Sequence, residues 1–204
     1  MRDATIHVRV WHGRARLPLV QPGAGPSQVT VVVGTNDLTQ GGIKHKSKRL
    51  IVHPDYSGYD LTNDIGLIEL DSPLNFSSKV SKISLPNKDI KIPLTPVVVT
   101  GWGQTSPTGD GEMSSVLQYL NLRIIGEKLC RLINKEKVTE RNICTSSTIG
   151  RGICKGDAGD PVVFDGTYQV GIVSWGVALC GLGVPDVHTR VYSYVDWING
   201  YISN

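Results

Sequence analysis

The stretch Cys154-Lys155-Gly156-Asp157-Ala158-Gly159-Asp160-Pro161 is a tight, glycine-rich turn that leads into a run of β-type residues. Turns of this kind aim several backbone N–H groups at one point, which is the arrangement that stabilises an oxyanion. A Gly-x-x-Gly turn taken alone is more often a plain hairpin turn without chemistry. The meaning of this stretch therefore depends on the motifs that surround it.

The composition limits the classes of protein to which the chain can belong. It has 204 residues, of which 40% are hydrophobic and 19% charged, and this balance excludes a disordered protein. Its net charge of +3 is too small to indicate a nucleic-acid partner. No apolar run approaches the roughly 20 residues of a membrane helix. The 23 glycines, 11 prolines and many Val, Ile and Thr runs favour a soluble, β-rich domain.

Short β-type segments separated by turn residues recur along the chain, which is typical of a sandwich or barrel. They are Thr5–Trp11, Val29–Val33, Leu50–His53, Ile65–Leu70, Val97–Thr100, Leu117–Ile124, Pro161–Phe164, Tyr168–Trp175 and Val187–Val191. Two helices are predicted, Glu127–Ile133 and Tyr192–Ile202, the second from its apolar face of helical spacing. The basic run Lys44–Arg49 is expected to be a solvated loop or strand edge in preference to a polyanion site.

Four cysteines, Cys130, Cys144, Cys154 and Cys180, occur without any Cys-x-x-Cys pair or histidine at ligand spacing, so we expect no zinc or other metal site. An even count in a glycine-rich β protein favours two disulfides, and hence an oxidising compartment. Residues 1–28 contain no apolar region of the kind a secretion signal has. The sequence thus favours secretion by its cysteines although no signal peptide is visible.

Four motifs surround the turn in a fixed order. They are Asn63-Asp64-Ile65-Gly66, Thr100-Gly101-Trp102-Gly103, Ser174-Trp175-Gly176 and Pro185-Asp186-Val187-His188. Together with the turn they resemble the chymotrypsin/trypsin family of serine endopeptidases, over about residues 29–204. The style of Val33-Gly34-Thr35-Asn36 and His53-Pro54-Asp55-Tyr56 is similar to that of arthropod members.

The resemblance implies a fold and a division of the chain. The fold is all-β, with two six-stranded Greek-key β-barrels and a C-terminal α-helix, and the first barrel is expected to be incomplete. Residues 1–28 are a divergent N-terminal segment, and residues 29–204 are a chymotrypsin-like domain whose N-terminal part is truncated. The resemblance also pairs Cys130 with Cys144 and Cys154 with Cys180.

The catalytic positions that the resemblance implies are only partly occupied. Asp64 matches the acid of the triad, and Ser174 matches the serine that hydrogen-bonds it. Ala158 stands at the nucleophile position, where a methyl group has neither lone pair nor proton to give. The catalytic base is missing, because the matching stretch near Pro18 has no histidine. The nearest histidine, His12, is not expected to act as base.

Further positions concern activation and substrate binding. Gly156 matches the oxyanion hole, and Asp160 replaces a glycine of the family motif. Asp157 matches the aspartate that pairs with the α-amine created on activation. Without that amine we expect Asp157 to turn outwards, because a buried unpaired carboxylate is costly. The remaining substrate-pocket positions are Gly152, Ser174, Trp175, Gly176 and Asp186, and the last offers a negative charge from the pocket wall.

The sequence leaves three functions possible. The first is an inactive homologue that binds a protein or peptide in the remnant cleft as a monomer, without cofactor, nucleic acid or membrane. The second is an active secreted endopeptidase whose natural sequence differs from this one at the nucleophile and the N-terminal block. The third is a decayed paralogue with no function. The sequence also contains one glycosylation sequon, Asn75-Phe76-Ser77, which matters only in a secreted chain.

Overall fold

A computed structural model describes residues 6–8 (backbone only), 28–106, 111–134, 137–176 and 180–202. The first lobe is an antiparallel sheet of four strands in the order β1-β4-β3-β2. The strands are β1 Ile6–Val8, β2 Thr30–Val33, β3 Ile43–Val52 and β4 Gly66–Leu70. Among the described residues this sheet is open, so the first lobe is the partial barrel that the sequence predicted.

The second lobe is a closed six-stranded antiparallel barrel in the order β10-β7-β6-β5-β8-β9. Its strands are β5 Pro96–Gly101, β6 Gln118–Ile125, β7 Asn142–Thr145, β8 Pro161–Phe164, β9 Tyr168–Trp175 and β10 Asp186–Arg190. Successive side chains of a strand point to opposite faces, and those on the inner face form the barrel core. Val97 and Val99 of β5 are buried in this way, as are Leu122 and Ile124 of β6.

The described part of the chain has two α-helices, one between β6 and β7 and one at the C-terminal end. The short helix α1 spans Glu127–Ile133, and a 3-10 turn, Val191–Tyr194, leads into α2, Val195–Ile202. Ile198 of α2 is fully buried against Ile65 and Leu67 of the first lobe and Ile172 of the barrel. The C-terminal helix therefore joins the two lobes behind Asp64.

The fold class is confirmed: the chain is mostly β, with one closed barrel, a partial second sheet and a C-terminal helix. Both disulfides, Cys130–Cys144 and Cys154–Cys180, are also confirmed. No helix in the described part of the chain is long and apolar enough to cross a membrane.

Two local predictions differ from the structure. The basic run lies within β3, between β4 and β2, and is neither loop nor sheet edge. It pairs as a strand because Ser47, 1% exposed, points inwards while Lys44 and Lys46 point to solvent. Strand β7, Asn142–Thr145, was not predicted, since four residues that include one half of a disulfide give too short a pattern.

Replacing Ile198 by alanine should lower the free energy of unfolding by about 3 kcal/mol, because it leaves a cavity where the two lobes meet. Ile202→Ala in the same helix is the matched control: that side chain is 39% exposed, and the expected loss is below about 1 kcal/mol. Urea unfolding followed by circular dichroism measures both. Equal losses in the two variants would show that α2 does not join the lobes.

Candidate functional site

Asp64 lies two residues before β4, and its side chain is hydrogen-bonded by the barrel. Only 2% of the residue is exposed. The Ser174 hydroxyl of β9 donates to Asp64 Oδ2 at 2.6 Å, and the Thr189 hydroxyl of β10 donates to the Asp64 carbonyl at 2.7 Å. The first lobe thus contributes Asp64, and the second lobe contributes one donor to its carboxylate and one to its backbone carbonyl.

A second network lies beside Asp64 and was not predicted. Asn63 adopts φ +50°, and its Oδ1 accepts hydrogen bonds from Arg141 Nη1 at 2.6 Å and from the Tyr194 hydroxyl at 3.1 Å. The Arg141 guanidinium also lies over the Tyr194 ring, 5.7 Å from its centre. These residues line a polar cavity of about 380 Å³ next to Asp64. Arg141 belongs to no recognisable sequence motif, so its hydrogen bond to Asn63 could not be predicted from the sequence.

The 154–160 turn packs against β9 and is anchored at one end by the disulfide of Cys154. The Gly159 N–H donates to the Val173 carbonyl, and the Val173 N–H donates to the Asp160 carbonyl, both at 2.8 Å. Gly156 and Gly159 have φ values of +101° and +94°, which only glycine adopts without strain. Ala158 sits between these glycines and is half-buried. The turn therefore has a defined backbone conformation, and the Ala158 methyl group stands between its two glycines.

Asp157 does not turn outwards, and that expectation was wrong. Its Oδ1 accepts the Gly103 N–H and its Oδ2 accepts the Cys154 N–H, each at 2.8 Å. A Cβ added to Gly103 would lie 2.2 Å from Asp157 Oδ1, so the carboxyl group packs directly on the backbone there. Burial raises the pKa of Asp157, although these hydrogen bonds and one from Asp160 oppose the rise. The carboxyl group stays inside because the Gly103 and Cys154 N–H groups donate to it in place of the α-amine created on activation.

Met113 lies beside the predicted oxyanion position, a contact that the sequence did not indicate. A Cβ added to Gly156 would come within 2.7 Å of Met113 Cε and 3.3 Å of its Sδ. The Gly156 backbone therefore faces a thioether, although Gly156 itself is exposed.

The predicted pocket positions lie around Asp186, which is 3% exposed. Its Oδ2 accepts the Ile153 N–H at 3.1 Å, and a Cβ on Gly176 would lie 3.2 Å from its Oδ1. Gly152 is equally confined, since an added Cβ would meet Ser147 Oγ at 2.8 Å. Burial raises the pKa of Asp186 to about 7, helped by the nearby charge of Asp157. This predicted pocket position therefore carries a buried carboxyl group whose pKa is about 7.

Trp175 ends β9, and Gly176 follows it beside Asp186. Trp175 is half-buried and pairs with Val187 of β10, while Gly176 is exposed. The candidate base His12 lies outside the described residues. Within the described part of the chain, no group of three or more His, Cys, Asp or Glu side chains is placed to hold a metal ion.

Acyl transfer needs a nucleophilic oxygen or sulfur, and the Ala158 side chain supplies neither. The structure retains the hydrogen-bonded Asp64 carboxylate, the hydrogen bonds between the 154–160 turn and β9, and the buried Asp186 carboxyl group.

Comparison with known proteins matches residues 21–198 to the Trypsin family. The chain is 37% identical to Chymotrypsin-2 of Vespa crabro over 176 residues, covering 86% of this chain and 78% of that protein. It is 36% identical to Cationic trypsin-3 of Rattus norvegicus over 176 residues, covering 84% and 70%. It is 34% identical to Trypsin of Sus scrofa over 181 residues, covering 87% and 77%.

The raised pKa of Asp186 predicts the direction of a pH effect on stability. Because the pKa is higher in the folded chain than its ordinary value of 3.8, the folded state binds this proton more tightly. Stability should therefore be greatest below about pH 4 and fall as pH rises towards 7, by up to about 4 kcal/mol from this group.

Asp186→Asn should flatten this decline, because the amide keeps the hydrogen-bonding shape and does not ionise. Thermal unfolding between about pH 4 and pH 8 measures the slope in each variant. Asp165→Asn, at an exposed turn, is the control and should leave the slope of the wild type unchanged. An unchanged slope in Asp186→Asn would contradict the burial argument.

Proposed function

This chain belongs to the trypsin family of serine endopeptidases, and from that premise we propose that it binds a protein or peptide in its cleft without cleaving it. One observation carries the proposal: the residue between Asp157 and Gly159 is alanine. Since the acyl-enzyme of this family forms on a serine oxygen at that position, the first covalent step has no nucleophile. Loss of nucleophile and base together lowers turnover on the order of 10⁶-fold.

The elements that hold a peptide do not depend on that oxygen. Peptides add to exposed strand ends through backbone hydrogen bonds, and side-chain pockets give selectivity. In this chain Trp175 and Gly176 offer such a strand end, and the pocket beside them contains the buried Asp186. Asp64 and Ser174, still joined by a hydrogen bond, keep the two lobes in register across the cleft.

The same reasoning extends to where the protein works. Two disulfides form and persist in oxidising surroundings, so we place the protein outside the cell. The likeness of short motifs to those of arthropod proteins stays a prediction, as does the division of the chain at residue 28.

A hydrolysis assay is the direct test of inactivity. The purified chain, incubated with a broad library of quenched fluorescent peptides, should give no signal above buffer, and a fluorophosphonate probe should not label it. Ala158→Ser distinguishes the causes: absence of turnover there shows that the base is missing too. Hydrolysis by the wild-type chain that disappears in Asp64→Asn would overturn the proposal and favour an active endopeptidase.

Binding needs its own measurement, with peptides selected from a display library on the immobilised wild-type chain. Gly176→Ile should weaken the selected peptides by at least about tenfold, because the added side chain fills the rim of the pocket beside Asp186. Gly200→Ile is the matched control, since a Cβ there meets no atom within 4 Å. Equal affinity in both folded variants, or no selected peptide at all, would exclude this cleft as a binding site.

A further inference from the structure

The segment between β4 and β5 contains the sequon Asn75-Phe76-Ser77, which the proposed binding function leaves unexplained. We infer that Asn75 carries an N-linked oligosaccharide. Chains meet the oligosaccharide donor only in the compartment where disulfides also form, so the assignment rests on the extracellular location proposed above. It does not depend on whether the cleft binds a peptide.

The fold leaves the sequon at the surface between two anchored points. Leu74, directly before it, is 8% exposed, and Val80, three residues after it, is half-buried. Val80 Cγ2 lies 3.3 Å from the position of a Cβ added to Gly34, so this end of the segment packs against the residue that follows β2. Asn75 lies between these points and is exposed, so a bulky group on its side chain extends into solvent.

Ser77 is held in a tight turn that keeps its hydroxyl at the surface. The Ser77 N–H donates to the Val80 carbonyl at 2.8 Å, and the Val80 N–H donates to the Ser77 carbonyl at 3.3 Å. Ser77 Oγ accepts the Lys79 N–H at 3.2 Å, which uses an oxygen lone pair and leaves the hydroxyl proton available for donation. The hydroxyl that defines a sequon is therefore exposed and retains its donor capacity.

A sequon becomes a glycosylation site only if the folded chain can carry the glycan. An asparagine in the core could not do so, because an oligosaccharide is bulky and strongly hydrated. Here Asn75 and Ser77 are exposed, and Phe76 between them is 53% exposed. The middle residue is not proline, which would exclude the motif. The structure therefore accommodates an oligosaccharide at Asn75 without displacing packed side chains.

The covalent step joins Asn75 to an oligosaccharide that is carried on a lipid pyrophosphate. The side-chain amide nitrogen of Asn75 loses one proton to a base of the transferring enzyme and forms a bond to C1 of the first sugar. The bond from C1 to the phosphate oxygen breaks, and the lipid pyrophosphate leaves with that electron pair. No oxidation or reduction takes place, and the product is a neutral, strongly hydrated side chain.

Phe76 gives the glycan a second role. It is a large apolar residue next to Asn75 in the chain, and about half of it is exposed. An oligosaccharide on the neighbouring residue occupies the solvent around this ring and keeps other protein chains away from it. The glycan therefore screens an apolar point on the surface, where contact between molecules would otherwise be favourable.

Intact mass spectrometry tests the assignment on the full chain, produced in insect cells behind a cleavable secretion signal. The wild-type chain should carry oligosaccharide mass that peptide N-glycosidase removes, which leaves aspartate at position 75. Asn75→Gln and Ser77→Ala should both lack this mass, and Ser77→Thr should keep it because the hydroxyl is retained. Ser78→Ala, next to the sequon, is the matched control and should also keep it.

A secreted wild-type chain with both disulfides formed and no added mass would overturn the assignment. Added mass in Asn75→Gln equal to that of the wild type would also overturn it, because the sugar would then lie elsewhere. Two different variants remove the sequon, so poor folding of one of them leaves the other to decide. No peptide is bound in this measurement, so its failure is distinct from failure of the proposed binding function.

Limited proteolysis with chymotrypsin tests the screening of Phe76. Cleavage after Phe76 should be at least about tenfold slower in the glycosylated wild-type chain than in Asn75→Gln, because the glycan blocks access to an exposed loop. Cleavage after Tyr59, which is 100% exposed, is the internal control and should proceed at the same rate in both. Equal rates after Phe76 in the two chains would overturn the screening role.

Discussion

The hydrogen bonds around Asp64 are the constraint on which the rest of this structure depends. Asp64 belongs to the first lobe, and two barrel residues donate to it: Ser174 to its carboxylate and Thr189 to its backbone carbonyl. Burying a carboxylate without hydrogen bonds costs several kcal/mol, and the Ser174 hydroxyl supplies one such bond. The bonds therefore fix the angle between the lobes, and the cleft lies along that junction. These hydrogen bonds join the lobes whether or not Asp64 has a catalytic role.

The sequence predicted the fold well because its signals are local and specific. The run Val97–Val99 predicted β5, and the order of the motifs predicted the two lobes through the family resemblance. The prediction failed where the outcome depended on side chains distant in sequence. The inward position of Asp157 is set by the Gly103 N–H and by Asp160, and Arg141 reaches Asn63 across 78 residues. No sequence pattern in the turn or near Arg141 predicts these contacts.

Three acids lie close together: the buried Asp160 and Asp186, and the half-buried Asp157. Burial raises the pKa of Asp157 and of Asp186, and the charge of Asp157 raises the pKa of Asp186 further. Hydrogen bonds from backbone N–H groups oppose these rises: Gly103 and Cys154 donate to Asp157, and Ile153 donates to Asp186.

Ala158 and Asp160 depart from the family motif of the turn and affect it differently. Their effects indicate whether the chain has simply decayed. Ala158 removes the chemistry and leaves the backbone as it was. Asp160 introduces a buried acid, which in a decaying core would be expected to disrupt packing. Instead its Oδ2 lies against the backbone of Gly101, where an added Cβ would come within 2.1 Å of it. With both residues present, the turn keeps its glycine conformations and its hydrogen bonds to Val173, so neither residue disrupts the local fold.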